Sequence, residues 1–261
     1  MAQTVVRGQG LGTADRKPWS GVPVPRSPIP DPRRDRGLIL DLDDTLYRRE
    51  HYVRSGFTAV AQHLWRTHGI ASQDAFIVMV HALATGRGAS AFQAVCDRFG
   101  LCPDVVPSLV DVFRGHTPAI WLHPDVAGTL RRLRAEGWRL AVLTNGLPSV
   151  QALKVAALGL APLVDAVIYA EEHAPGGKPS PQPFRAALHR LGLPSARCVS
   201  VGDDVTNDVR TAKSLGIATI RVARPDVMSM PDDDADIVIN ALSQLPDAAA
   251  LLMTLVSANV A

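Results

Sequence analysis

Carboxylate side chains directly follow two short apolar runs of this sequence, and they are the groups with the greatest chemical potential. They belong to Asp41, Asp43, Asp203 and Asp208. Unpaired carboxylates that share a crevice repel one another and are costly to desolvate, so a shared crevice calls for a cation. A ligand set made only of oxygen selects a hard divalent ion, and Mg²⁺ suits a site that also binds phosphate.

The elements that must position these carboxylates alternate between strand and helix along most of the chain. After the run Leu38-Ile39-Leu40, apolar segments predict strands at 138–144, 164–169, 198–201, 217–222 and 237–239. Helical spacing of apolar residues predicts helices at 125–136, 148–159, 181–192, 206–215 and 242–256. Repeated strand–helix units predict an α/β fold, a Rossmann-like parallel sheet with helices on both faces. Ligands of such sheets bind beyond the carboxyl ends of the strands, which is where the carboxylates fall.

An all-helical segment interrupts this alternation directly after the first strand. Apolar residues recur there at helical spacing over 51–68, 73–85, 89–99 and 104–114. We therefore predict a core formed by residues 37–48 and 123–261, with an inserted helical cap formed by residues 49–122. Residues 1–36 are rich in Pro, Gly and Arg and show neither strand nor helix periodicity, so we expect a disordered extension.

The charge distribution argues against a nucleic-acid-binding surface on the folded body. Residues 1–36 contain seven Lys or Arg and three Asp, which leaves 20 basic and 22 acidic residues and a net charge of −2 in the remainder. No apolar run approaches the roughly 20 residues of a membrane span, and the N-terminus lacks the apolar segment of a secretory signal. Three widely spaced cysteines indicate reduced thiols, so we expect a cytoplasmic protein. The sequence does not indicate an oligomeric state.

Four short motifs resemble, in chain order, those of the haloacid dehalogenase-like (HAD) hydrolases. They are Asp41-Leu42-Asp43-Asp44-Thr45 for DxDx(T/V), Thr144-Asn145-Gly146 for the second motif, Lys178 for the third and Gly202-Asp203-Asp204-Val205-Thr206-Asn207-Asp208 for GDxxxxD. The resemblance extends from residue 37 to near residue 240. A helical cap between the first two motifs is similar to the C1-capped subclass, which includes phosphoglycolate phosphatases, sugar phosphatases and some nucleotidases.

The resemblance implies a Mg²⁺-dependent phosphomonoester hydrolase that acts on a small phosphorylated metabolite. Asp41 would attack phosphorus and form an aspartyl-phosphate, and Asp43 would serve as the general acid and base. Thr144, Asn145 and Lys178 would bind the phosphoryl group, and Lys178 would also neutralise the nucleophile.

The same resemblance assigns the metal ligands. Mg²⁺ would be held by Asp41, by the backbone carbonyl of Asp43 and by Asp203. Asp208 would either bind the metal through water or orient the lysine of the third motif, and the sequence does not decide between these roles. Thr45 would order the loop after the first strand and take no part in the chemistry.

Other activities remain alternatives to phosphate-ester hydrolysis. A 2-haloacid dehalogenase would attack carbon without a metal, and that branch typically lacks the second Asp, which is present here as Asp43. A phosphomutase usually has Gly-Val where this chain has Asp44-Thr45. A phosphonatase would need a cap lysine, and residues 49–122 contain none. A non-catalytic binding protein on the same fold would have lost a chemical residue, and none is lost.

Substrate choice is expected to depend on the cap and its hinges. Candidates for substrate contact include Arg48, Arg49, His51, Arg54 and Arg87. Ordinary structural roles are expected for Lys154 on a solvated helix face, for Trp65 and Phe92 in the cap core, and for His63, His68 and His81 in helices.

Overall fold

The computed structural model describes residues 35–225 and 234–258 of the chain. The predicted extension, residues 1–36, lies outside the described residues except for Asp35 and Arg36. Arg36 already belongs to the first strand, which begins two residues before the apolar run Leu38-Ile39-Leu40. The division of the remaining chain into core and cap stays a prediction.

Six parallel strands of the described residues form one sheet, in the order β3-β2-β1-β4-β5-β6. The strands are β1 (Arg36–Leu40), β2 (Trp138–Thr144), β3 (Ala166–Tyr169), β4 (Cys198–Gly202), β5 (Ala218–Val222) and β6 (Ile237–Ile239). Leu40, the last residue of β1, pairs with Val142 of β2 and with Val201 of β4. The carboxyl ends of three strands therefore meet at the centre of the sheet, and the predicted α/β fold is confirmed.

Four α-helices between β1 and β2 have an apolar core of their own. They are α1 (Arg49–His68), α2 (Ser72–Ala84), α3 (Ala91–Phe99) and α4 (Val106–Gly115), here called the inserted helices. Phe57 and Leu64 are buried in this core, and Phe92 packs against it as predicted. The same prediction for Trp65 is wrong: its side chain is 58% exposed, because it follows Leu64 and lies off the buried stripe of α1.

The remaining helices pack on both faces of the sheet because β1 alternates its side chains. These helices are α5 (Val126–Ala135), α6 (Pro148–Ala157), α7 (Pro181–Leu191), α8 (Thr211–Ser214) and α9 (Leu245–Ala258). Leu38 and Leu40 join one apolar cluster, whereas Ile39 joins another that contains Phe184 of α7. None of the helices in the described residues has the length and apolar character that a membrane span requires.

The predicted helix at 206–215 is instead a π-helical turn, Val205–Arg210, followed by the short α8. Contacts of Asp208 explain the difference. The Ser200 hydroxyl donates to the carbonyl oxygen of Asp208 (2.8 Å), and the Asp204 N–H donates to its carboxylate (3.2 Å). These contacts come from β4 and the loop after it, so helical periodicity does not predict the wider turn. Turns of this kind occur frequently at functional sites.

Candidate active site

Asp41 is the first residue beyond β1, at the point where the central strands end. Its N–H donates to the carbonyl oxygen of Val201 (2.8 Å), which continues the strand pairing and fixes the backbone of Asp41. Leu42 is fully buried, whereas Asp41 and Asp43 on either side of it line one cavity. The i, i+2 spacing of an extended chain thus brings both carboxylates of the first motif to the same place.

The two residues after Asp43, which are Asp44 and Thr45, both hold the loop in place. Asp44 has a left-handed φ of 60°, a conformation that Asp tolerates better than most residues, and its carboxylate accepts the N–H of Arg49 (2.9 Å) at the start of α1. Thr45 is fully buried, and its hydroxyl donates to Asp203 Oδ1 (3.2 Å). Thr45 therefore connects the loop after β1 to the loop after β4.

Lys178 is buried, and its ammonium group bridges two carboxylates. Nζ lies 2.7 Å from Asp41 Oδ1 and 2.6 Å from Asp208 Oδ1, and it donates to the carbonyl oxygen of Leu143 (3.1 Å). Burial alone would lower the pKa of Lys178, but the carboxylates of Asp208 and Asp41 raise it, so the ammonium keeps its proton. Of the two roles left open for Asp208, these contacts favour the orientation of Lys178.

Asn145 holds the loop that carries Lys178. Its side-chain Nδ2 donates to the carbonyl oxygen of Lys178 (2.9 Å), and its Oδ1 accepts the Lys178 N–H (2.8 Å). Gly177 has a left-handed φ of 64°, and a Cβ there would lie 2.5 Å from Asn145 Oδ1. Both polar side-chain atoms of Asn145 thus bond to the backbone of Lys178. The sequence analysis expected Asn145 to contact phosphate and did not include this structural role.

Carboxylate oxygens of Asp41, Asp203 and Asp208 lie within 4.8 Å of one another. Burial, reinforced by the neighbouring Asp208 and Asp44 carboxylates, raises the pKa of Asp203 to about 7. Burial also raises the pKa values of Asp41 and Asp208, against the opposing effect of the lysine. Because the single ammonium group of Lys178 compensates only part of the charge of three carboxylates, and the cluster offers only oxygen, its chemistry fits a hard divalent cation such as Mg²⁺.

Thr144 ends β2 and is fully buried. Its hydroxyl has no hydrogen-bond partner among the described residues. A buried hydroxyl without a partner is costly, so a ligand oxygen that accepts its proton would be bound favourably. The arrangement suits the phosphoryl contact expected of Thr144.

The prediction that Lys154 lies on a solvated helix face is wrong. The residue is only 4% exposed, and Nζ lies 2.7 Å and 2.9 Å from the two carboxylate oxygens of Asp43. α6 follows directly on the loop after β2, and its inward stripe consists of Gln151, Lys154 and Val155. A lysine three residues after Gln151, on the apolar side of a helix that leaves a motif loop, is the signal that could have indicated this position.

The side chains of the site surround a cavity of about 460 Å³. Five residues of its lining were missed by the sequence analysis: Tyr52, Val53 and Phe113 from the inserted helices, and Gln151 and Lys154 from α6. Which side of a helix meets the crevice depends on how that helix packs against its neighbours, and apolar spacing alone does not define this.

Only one of the five substrate-contact candidates, Arg49, lines the cavity. Arg54 forms an ion pair with Glu50 (2.7 Å), and the ring of His51 lies 4.6 Å from that of Trp121. Arg48 and Arg87 also lie outside the lining.

Comparisons with known proteins agree with this geometry. The family model for haloacid dehalogenase-like hydrolases matches residues 36–216. The glyceraldehyde 3-phosphate phosphatase of Methanocaldococcus jannaschii is 31% identical over 222 residues, which cover 81% of this chain and 96% of that protein.

Two solved structures have the same fold at similar levels of likeness. A HAD phosphatase from Thermococcus onnurineus is 25% identical, with a TM-score of 0.57 over 82% of this chain and 97% of that one. A 2-haloacid dehalogenase from Pseudomonas syringae is 26% identical, with a TM-score of 0.58 over 83% of this chain and 99% of that one. Since both chemistries occur on this fold, the fold alone does not choose between them. The chain belongs to the haloacid dehalogenase-like hydrolases.

Proposed function

We propose that this chain is a Mg²⁺-dependent phosphatase that hydrolyses a phosphomonoester of a small metabolite through an aspartyl-phosphate on Asp41. The observation that carries the proposal is the presence of Asp43 beside Asp41 in one cavity with a cluster of further carboxylates. A halide leaves carbon without taking up a proton and needs no cation. The departure of an ester oxygen from phosphorus is helped by a proton donor, and a cation offsets the charge of the phosphoryl oxygens.

The first step transfers the phosphoryl group to the protein. A carboxylate oxygen of Asp41 attacks phosphorus as the bond to the ester oxygen breaks, and that oxygen takes a proton from Asp43. Lys178 and the Thr144 hydroxyl are placed to offset the charge of the phosphoryl oxygens. Asp41, Asp203 and the carbonyl oxygen of Asp43 would hold Mg²⁺, which would supply further positive charge to the phosphoryl group.

The second step releases phosphate and restores the nucleophile. Asp43, now a carboxylate, takes a proton from water while the water oxygen attacks phosphorus. The bond between phosphorus and Asp41 breaks, inorganic phosphate leaves, and Asp41 is again a carboxylate. Each residue returns to its starting state, so the cycle consumes only the ester and water.

The size of the cavity agrees with a small-molecule substrate. Its volume of about 460 Å³ lies at the low end of the range for small-molecule sites, which is roughly 300–1,000 Å³. The relative in Methanocaldococcus jannaschii is named for a three-carbon phosphate ester, which agrees in size. We propose a small phosphorylated metabolite as the substrate class on these two grounds.

Substitution of the nucleophile tests the proposal. Asp41→Asn should lower the hydrolysis of 4-nitrophenyl phosphate and of a panel of alkyl phosphomonoesters by at least about 10³-fold, since a covalent step cannot be replaced by binding alone. Asp247→Asn, at a side chain that is 81% exposed, is the matched control and should leave the rate unchanged. Activity of the wild type should disappear in EDTA and return with Mg²⁺.

Two results would count against a phosphatase. One is a wild-type protein that hydrolyses no phosphomonoester of the panel when Mg²⁺ is present. The other is metal-independent release of halide from a 2-haloacid, which would assign the dehalogenase chemistry of the structural neighbour to this chain.

A further inference from the structure

Lys154 is a buried cation that the two proposed steps do not use. The described residues contain three lysines, and two of them, Lys154 and Lys178, are buried at the site. Lys178 contacts the nucleophile, whereas Lys154 contacts the other carboxylate of the first motif, Asp43. Lys213, the third, is exposed and pairs with Asp236 at the surface. Burying an ammonium group is costly unless its partners are well placed, so the contacts of Lys154 require an explanation.

These contacts hold the Asp43 carboxylate from both of its oxygens. Lys154 Nζ lies 2.7 Å from Oδ1 and 2.9 Å from Oδ2. The Tyr47 hydroxyl also donates to Oδ1, and the Gln151 amide lies 3.4 Å from Oδ2. A carboxylate on a loop would otherwise sample several rotamers, and these contacts select one of them.

The ammonium group of Lys154 also touches the inserted helices. Nζ lies 4.5 Å from the ring centroid of Tyr52 in α1, within the range of a cation–π interaction. The Tyr52 ring in turn packs edge-on against Phe113 of α4 at 5.5 Å. Lys154 is therefore fixed by Asp43 in the loop after β1 on one side and by Tyr52 of the inserted helices on the other.

We propose that Lys154 is a positioning residue for Asp43, which aims the carboxyl group of Asp43 at the leaving oxygen of the substrate. This inference rests on the phosphatase function proposed above. In the proposed step Oδ1, which also accepts the Tyr47 hydroxyl, stays bonded to the ammonium group, and Oδ2 exchanges its contact with Nζ for the ester oxygen. The carboxyl group thus keeps its direction as the proton passes to the leaving group. A residue that only tied α6 to the loop would have no such effect on proton transfer.

Dependence on the leaving group separates these two roles. An aryl phosphate has a good leaving group and needs little help from an acid, whereas an alkyl phosphate depends on proton donation. Lys154→Met should lower kcat/KM for the best alkyl ester of the panel by about 10²-fold, the cost of a misdirected catalytic group. The kcat/KM for 4-nitrophenyl phosphate, which covers only the steps up to phosphoryl transfer, should fall by less than about 5-fold because that transfer needs little acid catalysis.

A double-mutant cycle tests whether Lys154 acts through Asp43. In an Asp43→Ala background, Lys154→Met should change the alkyl kcat/KM by less than about 3-fold, because the group that it positions is already missing. Lys213→Met is the matched control and should alter neither ester. Thermal unfolding of each variant shows whether the fold is retained.

Equal losses for both esters, or a full loss that persists in the Asp43→Ala background, would overturn the inference. If Lys154→Met does not fold, Lys154→Gln replaces it, since its polar but uncharged side chain is too short to hold both Asp43 oxygens as the ammonium group does. Its alkyl-to-aryl ratio should fall, and an unchanged ratio would refute the positioning role. If the wild type hydrolyses neither ester with Mg²⁺, it is the proposed function that fails.

Discussion

Asp203 should make the metal-free protein less stable as the pH rises. Burial raises the pKa of its carboxyl from 3.8 to about 7. Between these two values the folded state keeps a proton that the unfolded state releases, so the free energy of unfolding falls with rising pH across that window and the loss is complete above pH 7. One pKa unit corresponds to about 1.4 kcal/mol, which sets an upper limit of about 4 kcal/mol for this group.

Asp203→Asn isolates this contribution. The amide oxygen can still accept the Thr45 hydroxyl, which donates to Asp203 Oδ1 in the wild type, but the side chain no longer titrates. In EDTA, urea unfolding of the wild type should lose roughly 2.5 kcal/mol more between pH 5 and pH 8 than unfolding of the variant. Asp247→Asn, at an exposed carboxylate, should keep the pH slope of the wild type.

Added Mg²⁺ should reverse the trend, because the cation replaces the proton and stabilises the folded state in proportion to its binding. Stabilisation by a fixed Mg²⁺ concentration should therefore be larger at pH 8 than at pH 5 in the wild type. Equal pH slopes for the wild type and Asp203→Asn in EDTA would refute the reasoning, since burial of this carboxylate would then have no energetic consequence.

Three further substitutions probe contacts around the site. In Gly202→Ala the new Cβ would lie 2.2 Å from Asp208 Oδ2, so the Asp208 carboxylate must shift. We expect kcat/KM, measured in steady-state assays, to fall about 10²-fold. Thr144→Val removes a buried hydroxyl without a partner, so the melting temperature should stay equal or rise while kcat/KM falls at least about tenfold. Arg224→Met breaks the buried pair with Asp125 (3.3 Å) and should cost roughly 3 kcal/mol in urea unfolding; no loss would mean that the pair is energetically neutral.

The strands were predictable because buried parallel strands are apolar runs between polar breaks. β2 has the predicted bounds, 138–144, whereas β3 begins at Ala166, two residues later than predicted. The Asp165 side chain explains this difference. Its Oδ2 accepts the Leu140 N–H (2.8 Å), so side chain and backbone replace ladder pairing at the start of β3. When a side chain replaces a ladder hydrogen bond in this way, the apolar pattern that predicts the strand is unchanged.

The motif residues of the site were predictable because strand ends place them there. Asp41 directly follows β1 and Thr144 ends the neighbouring β2, so the parallel sheet alone brings them together. Tyr52 and Lys154 were not predictable in the same way, because they lie on helices whose orientation toward the crevice is set by packing. Lys154 lies on the buried stripe of α6, but it was predicted to be exposed because lysine usually is.

Negative charge in the site is compensated unevenly. Lys178 lies between Asp41 and Asp208, and Lys154 contacts both oxygens of Asp43. In the described part of the chain, no basic side chain forms an ion pair with the fourth carboxylate, that of Asp203, and burial together with its acidic neighbours raises the pKa of this group. The charge of Asp203 is thus the one that an added cation compensates most directly.

A metal would compensate the charge of Asp203, whereas Lys154 compensates the charge of Asp43. Metal binding and proton donation to the leaving group should therefore be separable by mutation. Asp203→Asn should weaken Mg²⁺ binding, measured as the concentration for half-maximal activity, and leave the alkyl-to-aryl ratio of kcat/KM unchanged. Lys154→Met should change that ratio and leave the Mg²⁺ requirement unchanged. Effects on separate partners add, so the double variant should show both changes at their single-variant sizes, within the roughly 0.5 kcal/mol expected of independent sites. A Mg²⁺ requirement that shifts in Lys154→Met would mean that the Asp43 pair and the metal cluster act as one network.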